Sequence, residues 1–314
     1  MNVVEQEITE RFALYCGDSA EILQTIPDDS VHYQIYSPPF ASLYTYSASE
    51  RDLGNCRTRS EFFEQFAFIG RELYRTLMPG RLMSFHVMEL PTSKERDGFI
   101  GISDFPGACI RMFQDIGFIY HSRVVIWKDP LIAATRTKAL GLLHKQIEKD
   151  SAMCRQGIPD YLITMRKPGE NPEPVAHPDG FTSYVGDNKP RGGVYSHQVW
   201  QRYASPVWMD INPSFTLNKE GAREEKDERH VCPLQLQVIE RAIELWTNPN
   251  DIVLTPFLGI GSEAYVALRK GRRAIGIELK KSYYDQALLN CRTAILESEQ
   301  ISIDALAYMA EKEA

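Results

Sequence analysis

The chain contains 314 residues, of which 43% are hydrophobic and 25% are charged, and its formal net charge is -7. A chain of this length can bury a full hydrophobic core as one large or two modest domains. Its start lacks the basic residues and apolar run of a secretory signal, and no stretch reaches the roughly 18 apolar residues that span a bilayer. The acidic charge excludes a generally basic surface, so any contact with nucleic acid must be local.

The cysteines are scattered without the C-x-x-C spacing that is typical of zinc sites, at Cys16, Cys56, Cys109, Cys154, Cys232 and Cys291. This scatter also argues against a disulfide framework. We therefore expect no metal ion and a reducing, cytoplasmic location.

Strand and helix patterns alternate from the start of the chain. The segments FALYCGD (12–18) and VHYQIYS (31–37) predict strands, and AEILQTI (20–26) between them predicts a short helix. The second strand pattern runs directly into two adjacent prolines. Such a rigid segment stands where a strand usually delivers a functional loop.

The next helix is predicted from apolar residues at helical spacing, with Ser60 as its N-cap and Pro79-Gly80 as its end. A strand (RLMSFHVM), a helix that ends at Gly117 and a further strand (IYHSRVVIW) follow. This alternation predicts an α/β protein with a mainly parallel sheet that helices cover on both faces.

The middle of the chain has a different composition. Residues 168–229 are rich in proline, glycine, asparagine and aromatic residues without sustained periodicity, which predicts an inserted, loop-rich region. Regular patterns then resume as helix, strand, helix and strand, and a last long helix begins near Ser282. We therefore divide the chain into segments 1–167, 168–229 and 230–314.

The last segment contains a glycine-rich turn between a strand and a helix, Phe257-Leu258-Gly259-Ile260-Gly261, and Glu278 ends the next strand. Glycines let the backbone approach a ligand closely, and a carboxylate at the adjacent strand end can accept both hydroxyls of a ribose. The arrangement predicts a nucleoside site. A nicotinamide dinucleotide fits the same layout, so the turn alone leaves the ligand open.

Together with the tetrapeptide Ser37-Pro38-Pro39-Phe40, this turn resembles the DNA amino-methyltransferases that use S-adenosyl-L-methionine. Their catalytic motif is Asp/Asn/Ser-Pro-Pro-Tyr/Phe/Trp, and here it precedes the glycine turn, the circularly permuted order of the beta class. The resemblance extends to CGDSAEIL, DYLITMRKPG and RHVCPLQLQVIERAIELW, and so covers most of the chain outside the middle.

This resemblance implies a Rossmann-like fold with a mostly parallel sheet and an inserted target-recognition region. It also implies S-adenosyl-L-methionine as the cofactor, double-stranded DNA as the partner and a role in restriction-modification. The reaction would be methyl transfer to the amino group of a flipped adenine (N6) or cytosine (N4). Ser37 favours cytosine slightly, but adenine and cytosine both remain possible targets. The oligomeric state is also open, and a homodimer is one possibility.

The family assigns the catalytic role to Ser37, Pro38, Pro39 and Phe40. The Ser37 side chain and the Pro38 carbonyl would accept hydrogen bonds from the target amino group, and Phe40 would stack on the flipped base. The residues expected to bind the cofactor are Asp18, His230, Pro233, Phe257, Gly259, Gly261, Ser262 and Glu278. Helix capping is the alternative for Asp18 and Ser262, and a plain helix start is the alternative for the segment from His230 to Pro233.

DNA contacts are expected from a basic helix (RTKALGLLHKQIEK, 136–149) and from the aromatic and basic part of the middle segment. The residues concerned are Arg136, Lys138, Lys145, Lys189, Arg191, Trp200 and Arg202. As alternatives, Trp200 and Trp208 would belong to the core, and the basic helix would be a solvated face.

Three other functions remain open from the sequence. A nicotinamide-dependent oxidoreductase leaves the double proline unexplained. A methyltransferase of RNA or protein usually has its glycine motif first, and a non-catalytic protein would bind DNA without consuming the cofactor. Modification of a ring carbon is not expected, because the Pro-Cys site of carbon-5 enzymes is missing from the sequence.

Overall fold

The computed structural model describes residues 3–40, 53–56, 58–137, 139–178, 180–181, 193–218 and 233–313. Its strands are β1 (Val3–Ile8), β2 (Phe12–Gly17), β3 (Val31–Tyr36), β4 (Leu77–Met88), β5 (Leu90–Thr92), β6 (Gly101–Ser103), β7 (Ile119–Ile126), β8 (Asp160–Arg166), β9 (Val207–Trp208), β10 (Ile252–Thr255) and β11 (Arg273–Glu278). Its α-helices are α1 (Ser19–Ile22), α2 (Arg59–Thr76), α3 (Lys94–Asp97), α4 (Phe105–Ile116), α5 (Pro130–Thr137), α6 (Gly193–Tyr203), α7 (Leu236–Trp246), α8 (Ser262–Arg269) and α9 (Lys281–Glu313). In the described part of the chain, no helix is both long and apolar enough to cross a membrane.

Most of the described strands form one mixed sheet in the order β1-β2-β11-β10-β3-β4-β8-β7-β9. Within the sheet, the neighbouring strands β2, β11, β10, β3 and β4 are all parallel to one another. Strands β1 and β8 are antiparallel to their neighbours. Parallel neighbours need crossover connections, and these carry the helices that cover the sheet. The predicted α/β class with a mostly parallel central sheet is confirmed.

Each face of the sheet has its own hydrophobic core. Helices α7, α8 and α9 pack on one face, where Val238, Val266 and Ala287 are buried together. Helices α1, α2 and α4 cover the other face, where Phe66 and Phe113 contact each other edge to face. Strands that are buried on both faces read as continuous apolar runs, as residues 252–254 of β10 do.

The ends of α2 differ from the prediction. The N-cap is Thr58, whose extended backbone lets its hydroxyl accept the Glu61 N–H at 3.1 Å, while Ser60 already lies inside the helix. At the other end, α2 stops at Thr76, before Pro79-Gly80, because Leu77 pairs with Val31 and starts β4. The predictions of Ser60 as the cap and of Pro79-Gly80 as the helix end are therefore wrong.

The middle segment is more regular than expected. Its described residues include helix α6 and the short strand β9, which pairs in parallel with β7 at the sheet edge. Trp208 of β9 is 1% exposed and belongs to the core beneath α7. Strands from all three segments thus lie in one sheet.

Candidate active site

Parallel strands bring the two predicted motifs to the same edge of the sheet. Strands β2, β11, β10 and β3 are consecutive and parallel, so their carboxyl ends lie side by side. Asp18, Glu278, the glycine turn and Ser37 follow or end these strands in that order. Helix α8 leaves β10 toward one face and α2 leaves β3 toward the other. A crevice where connections diverge in this way is the usual ligand site of open α/β sheets.

The glycine turn leaves space at one position and permits close packing at another. Gly259 has a φ of 53°, and apart from the glycine and its two neighbours in the chain no atom lies within 4 Å of the point that a Cβ would occupy. Gly261 has a φ of 89°, and a Cβ there would lie 3.1 Å from Ala287 of α9. Gly259 therefore keeps the crevice open to a ligand, whereas Gly261 lets α8 pack against α9.

Glu278 is held rigidly beside this turn. One carboxylate oxygen accepts the Gly259 N–H at 2.7 Å, and the other accepts the Lys280 N–H at 2.9 Å. A carboxylate has roughly four acceptor positions, which is more than these two bonds occupy. The residues around Gly259 and Glu278 thus fit the nucleoside part of S-adenosyl-L-methionine.

Three other predicted cofactor residues, Asp18, Ser262 and Phe257, differ in burial and in their contacts. Asp18 caps α1, since its carboxylate accepts the Ala20 N–H at 2.9 Å. The N-cap of α8 is Gly261, so the capping alternative for Ser262, which is buried in the first turn, is wrong. Phe257 is half-buried and its ring contacts Tyr36 at a centroid distance of 5.7 Å.

The remaining two predicted cofactor residues belong to the segment before α7. Pro233 is half-buried and lies just before α7, and His230 lies outside the described residues. Ser19, which sequence reasoning missed, donates a hydrogen bond to the Pro256 carbonyl and ties the start of α1 to the loop after β10. A polar residue directly after a predicted strand end was the available signal.

The tetrapeptide Ser37-Pro38-Pro39-Phe40 leaves β3 at the same edge. Pro38 is buried and the other three residues are half-buried. The Phe40 ring packs against Phe105 of α4, with 6.2 Å between the centroids. Because prolines have no N–H and a fixed φ, the segment presents its carbonyl groups in fixed directions.

Comparison with known proteins identifies a family whose members match the region that contains both motifs. Residues 31–289, which include both, match the DNA methylase family of N6 and N4 methyltransferases. The chain belongs to this family. It is 37% identical over 290 residues to the type II methyltransferase M.ScaI of Streptomyces caespitosus, with 89% of this chain and 81% of that protein covered. It is 26% identical over 277 residues to M.BglII of Bacillus subtilis, with 87% and 67% covered.

Solved structures share the fold of this methyltransferase. The crystal structure of TTHA0409 from Thermus thermophilus, complexed with S-adenosyl-L-methionine, has a TM-score of 0.62 at 21% identity, over 91% of this chain and 96% of that one. The cytosine-N4-specific PvuII DNA methyltransferase has a TM-score of 0.56 at 16% identity, over 96% of both chains. The predicted family, the Rossmann-like fold, the enzyme class, the methyl donor S-adenosyl-L-methionine and DNA as the substrate are confirmed.

The Cys16 thiol, on the strand beside Glu278, is not activated as a nucleophile. Cys16 pairs with Glu278 across the adjacent strands β2 and β11. Burial and the nearby carboxylate of Glu278 raise the pKa of the Cys16 thiol to about 11. Since the thiolate is the reactive form, Cys16 stays protonated near neutral pH.

Sequence reasoning missed a set of polar residues behind Ser37. The Ser37 hydroxyl oxygen lies 3.3 Å from Nδ1 of His86, and Nε2 of His86 lies 3.2 Å from a carboxylate oxygen of Asp160. Lys128 contacts the other oxygen of Asp160 at 2.5 Å. No motif spacing relates these residues, because the parallel pairing of β3 with β4 and the antiparallel pairing of β4 with β8 bring them together.

The predicted DNA-contacting residues fall into three groups. Lys138, Lys189 and Arg191 lie outside the described residues. Arg136 lies within α5, which ends at Thr137, so the predicted basic helix does not continue to residue 149. Lys145 is exposed on a separate, short 3-10 helix beyond α5.

The third group lies on α6 of the middle segment. Trp200 is 55% exposed, so the core alternative is wrong for this residue, whereas Trp208 is buried. Arg202 is near the same end of α6 and forms an ion pair with Asp210 at 3.4 Å. Asp210 also accepts from Arg241, so the charge of Arg202 is only partly available to a phosphate.

A separate polar cluster lies at the opposite edge of the sheet. His32, Glu173 and Asp251 offer atoms within 4.8 Å of one another. Asp251 forms a buried ion pair with Arg81, and Nδ1 of His32 accepts the Ile252 N–H at 3.1 Å. These contacts join the strand starts and give the cluster a structural role.

Proposed function

We propose that this methyltransferase transfers a methyl group to the exocyclic amino group of an adenine or cytosine that is flipped out of double-stranded DNA. The observation that carries this proposal is the position of Ser37-Pro38-Pro39-Phe40 at the end of β3, beside the glycine turn at the end of β10. The crevice between α2 and α8 would receive the two substrates side by side. As the cysteine usage predicts, we place the reaction in the cytoplasm.

In the cofactor half, Glu278 would accept the ribose hydroxyls and Gly259 would leave room for the nucleoside. Asp18 lies beyond Glu278 along the same edge, where its carboxylate would approach the adenine end. Pro233 and His230 would contact the methionine end, with Phe257, Gly261 and Ser262 shaping the turn. When bound, S-adenosyl-L-methionine supplies an electrophilic methyl group on a sulfonium.

In the catalytic half, the target amino group is a poor nucleophile because its lone pair is delocalised into the ring. Ser37 and the Pro38 carbonyl would accept its two hydrogens, which turns the lone pair toward the methyl group. Pro39 holds this platform rigid, so the acceptors need little reorganisation during the reaction. Phe40 would stack on the flipped base and offset part of the few kcal/mol that unstacking costs.

The middle segment, 168–229, is the proposed target-recognition region. It combines the exposed Trp200 with Arg202, and we include Lys189 and Arg191 on the basis of the sequence. Arg136, Lys138 and Lys145 would contact the phosphate backbone. This local basic surface would offset the net charge of -7.

Product analysis tests the proposal directly. The purified protein is incubated with tritiated S-adenosyl-L-methionine and unmethylated, whole-genome-amplified DNA, and the DNA is digested to nucleosides for mass spectrometry. N6-methyladenine or N4-methylcytosine is the expected product and identifies the base. Unlabelled DNA or 5-methylcytosine would overturn the proposal.

A matched pair of variants assigns the product to the site. We expect Ser37→Ala to abolish most transfer while it still binds the cofactor in calorimetry. Ser60→Ala removes the same hydroxyl from the exposed side of α2 and should transfer like the wild type.

A further inference from the structure

A polar chain leads from the catalytic motif into the protein interior. It consists of Ser37, His86 and Asp160. The Ser37 hydroxyl oxygen lies 3.3 Å from Nδ1 of His86, and Nε2 of His86 lies 3.2 Å from a carboxylate oxygen of Asp160. The Lys128 ammonium contacts the other Asp160 oxygen at 2.5 Å. His86 is 9% exposed and Asp160 is 3% exposed. Burying a histidine next to a carboxylate costs free energy unless the two compensate each other, so the pair calls for an explanation.

Strand topology explains how this chain arises. Tyr36, the last residue of β3, pairs with Phe85, so Ser37 comes next to His86 at the end of β4. Asp160 begins β8, and because β8 is antiparallel to β4 its start lies at the same edge as their ends. Side chains alternate along each strand, and Ser37, His86 and Asp160 all have the parity of the face covered by α7 and α8.

Asp160 determines which ring nitrogen of His86 carries the proton. Burial alone would raise the pKa of the Asp160 carboxyl, but His86 and Lys128 counteract this, and its pKa lies below the ordinary value. An ionised carboxylate only accepts hydrogen bonds, so the facing Nε2 of His86 carries the hydrogen. The two atoms are close, although their geometry is not that of a full hydrogen bond.

Nδ1 of a neutral His86 is then an acceptor. The hydrogen of the Ser37 hydroxyl points to Nδ1, and the lone pairs of the Ser37 oxygen point away from His86, toward the crevice. A serine in this orientation can accept a hydrogen bond from an amino group. The reverse tautomer would make the Ser37 oxygen an acceptor for His86 and leave its hydrogen facing the substrate.

We propose that His86 is a positioning residue, which orients the Ser37 hydroxyl and takes up the proton that the target amino group loses during methylation. This inference rests on the proposed function. As the nitrogen–carbon bond forms, the methyl–sulfur bond breaks and sulfur keeps the electron pair. One proton passes from the amino nitrogen to the Ser37 oxygen while the hydroxyl proton of Ser37 passes to Nδ1 of His86.

The surrounding charges favour this transfer. An alcohol oxygen cannot retain a second proton near neutral pH, so Ser37 needs an acceptor behind it, and the imidazolium that forms faces Asp160. Among the described residues, the charged side chain that contacts His86 is Asp160, and Lys128 contacts Asp160. Glu89 follows His86 by three residues, and burial followed by the charge of Asp104 raises the pKa of its carboxyl, which Arg123 partly counteracts.

A tautomer measurement tests the ground state without any cofactor. In nitrogen-15 spectra of the histidine-labelled protein, His86 is assigned by its absence from His86→Asn. We expect the neutral ring to carry its hydrogen on Nε2. We also expect the Asp160→Asn variant to populate the other tautomer more. A hydrogen on Nδ1 in the wild type would overturn the inference.

Kinetics test the proton uptake. His86→Asn places an amide near the Nδ1 position, where it can still bond Ser37 but cannot take up a proton. We expect the single-turnover rate to fall by about 100-fold, the lower range for general base catalysis. We also expect the pH profile of the rate to differ from that of the wild type, because this variant lacks the imidazole that would accept the proton. Cofactor binding and the thermal midpoint serve as checks on folding.

The controls separate the two proposals. His121→Asn changes a histidine that contacts Ser122 at 2.9 Å on the exposed part of β7, and should leave the rate and pH profile unchanged. If the wild type forms no methylated amino group, the proposed function fails. The tautomer measurement needs no cofactor, so it still tests whether His86 orients the Ser37 hydroxyl. If the wild type is active and His86→Asn retains its rate and pH profile, the inference about His86 fails alone.

Discussion

The carboxylate of Glu278 accepts the backbone N–H of Gly259 at 2.7 Å, which joins the end of β11 to the glycine turn after β10. One side chain therefore both shapes the turn and offers acceptors to a ligand. An alanine at this position would remove both functions together. A glutamine keeps an acceptor for Gly259 and removes the charge, so it isolates the contribution to ligand binding.

We expect Glu278→Gln to weaken S-adenosyl-L-methionine binding by about 10- to 100-fold, because hydrogen bonds to a charged group contribute about 1.5 to 3 kcal/mol. Calorimetry on the purified protein measures the dissociation constant. Glu10→Gln, an exposed position in the turn between β1 and β2, is the control and should bind like the wild type. An unchanged constant for Glu278→Gln would remove this residue from the site.

The two glycines of the turn should respond differently to alanine. Gly259→Ala adds a methyl group in open space at a left-handed φ, so we expect a stability loss of only about 1 to 2 kcal/mol together with markedly weaker cofactor binding. Gly261→Ala forces the methyl group toward Ala287, so its main effect should be a lower unfolding free energy. Urea denaturation and calorimetry on both variants check this contrast. Equal cofactor affinity for Gly259→Ala and the wild type would argue that the ligand does not occupy this space.

Lys145 offers a test of the DNA surface. If it neutralises a phosphate, Lys145→Gln should lower the slope of log binding constant against log salt by about 0.9, since one counterion fewer is released. Fluorescence anisotropy on a labelled duplex at several salt concentrations measures the slope. Arg273→Gln removes an exposed charge at the opposite edge of the sheet and should keep the wild-type slope. Identical slopes for Lys145→Gln and the wild type would place the DNA elsewhere.

Glu263 predicts a dependence of stability on pH. It is buried in the first turn of α8, and burial raises the pKa of its carboxyl from 4.5 to about 8. Between these values the unfolded chain releases the proton and the folded protein keeps it, so the free energy of unfolding falls as the pH rises. The loss, on the order of 5 kcal/mol, is complete above the folded pKa.

Urea denaturation of the wild type and of Glu263→Gln between pH 5 and 9 measures this effect. We expect the variant to lack the decline and to exceed the wild type in relative stability most at high pH. Glu240→Gln on α7, where the side chain is half-exposed, should follow the wild-type curve. A parallel pH curve for Glu263→Gln would show that Glu263 is already ionised in the folded protein.

The sequence by itself determined the regular elements whose signals are local. Apolar runs predicted β2, β3, β7, β10 and β11, and the glycine after α4 marked its end correctly, since Gly117 has a φ of 122°. Both site motifs were also readable, because each is a continuous stretch whose backbone chemistry depends on its own residues. Their order along the chain was sufficient to predict the family.

Tertiary structure decided the features that depend on distant partners. Strand β1 is largely exposed and lacks an alternating pattern, and it forms by antiparallel pairing with β2. The end of α2 depends on the pairing of Leu77 with Val31, which overrides a local proline and glycine signal. Likewise, the contact between His86 and Asp160 exists because β8 runs antiparallel to β4 and brings its first residue beside the end of that strand. Pairing between remote strands sets such contacts, and no local pattern of residues encodes it.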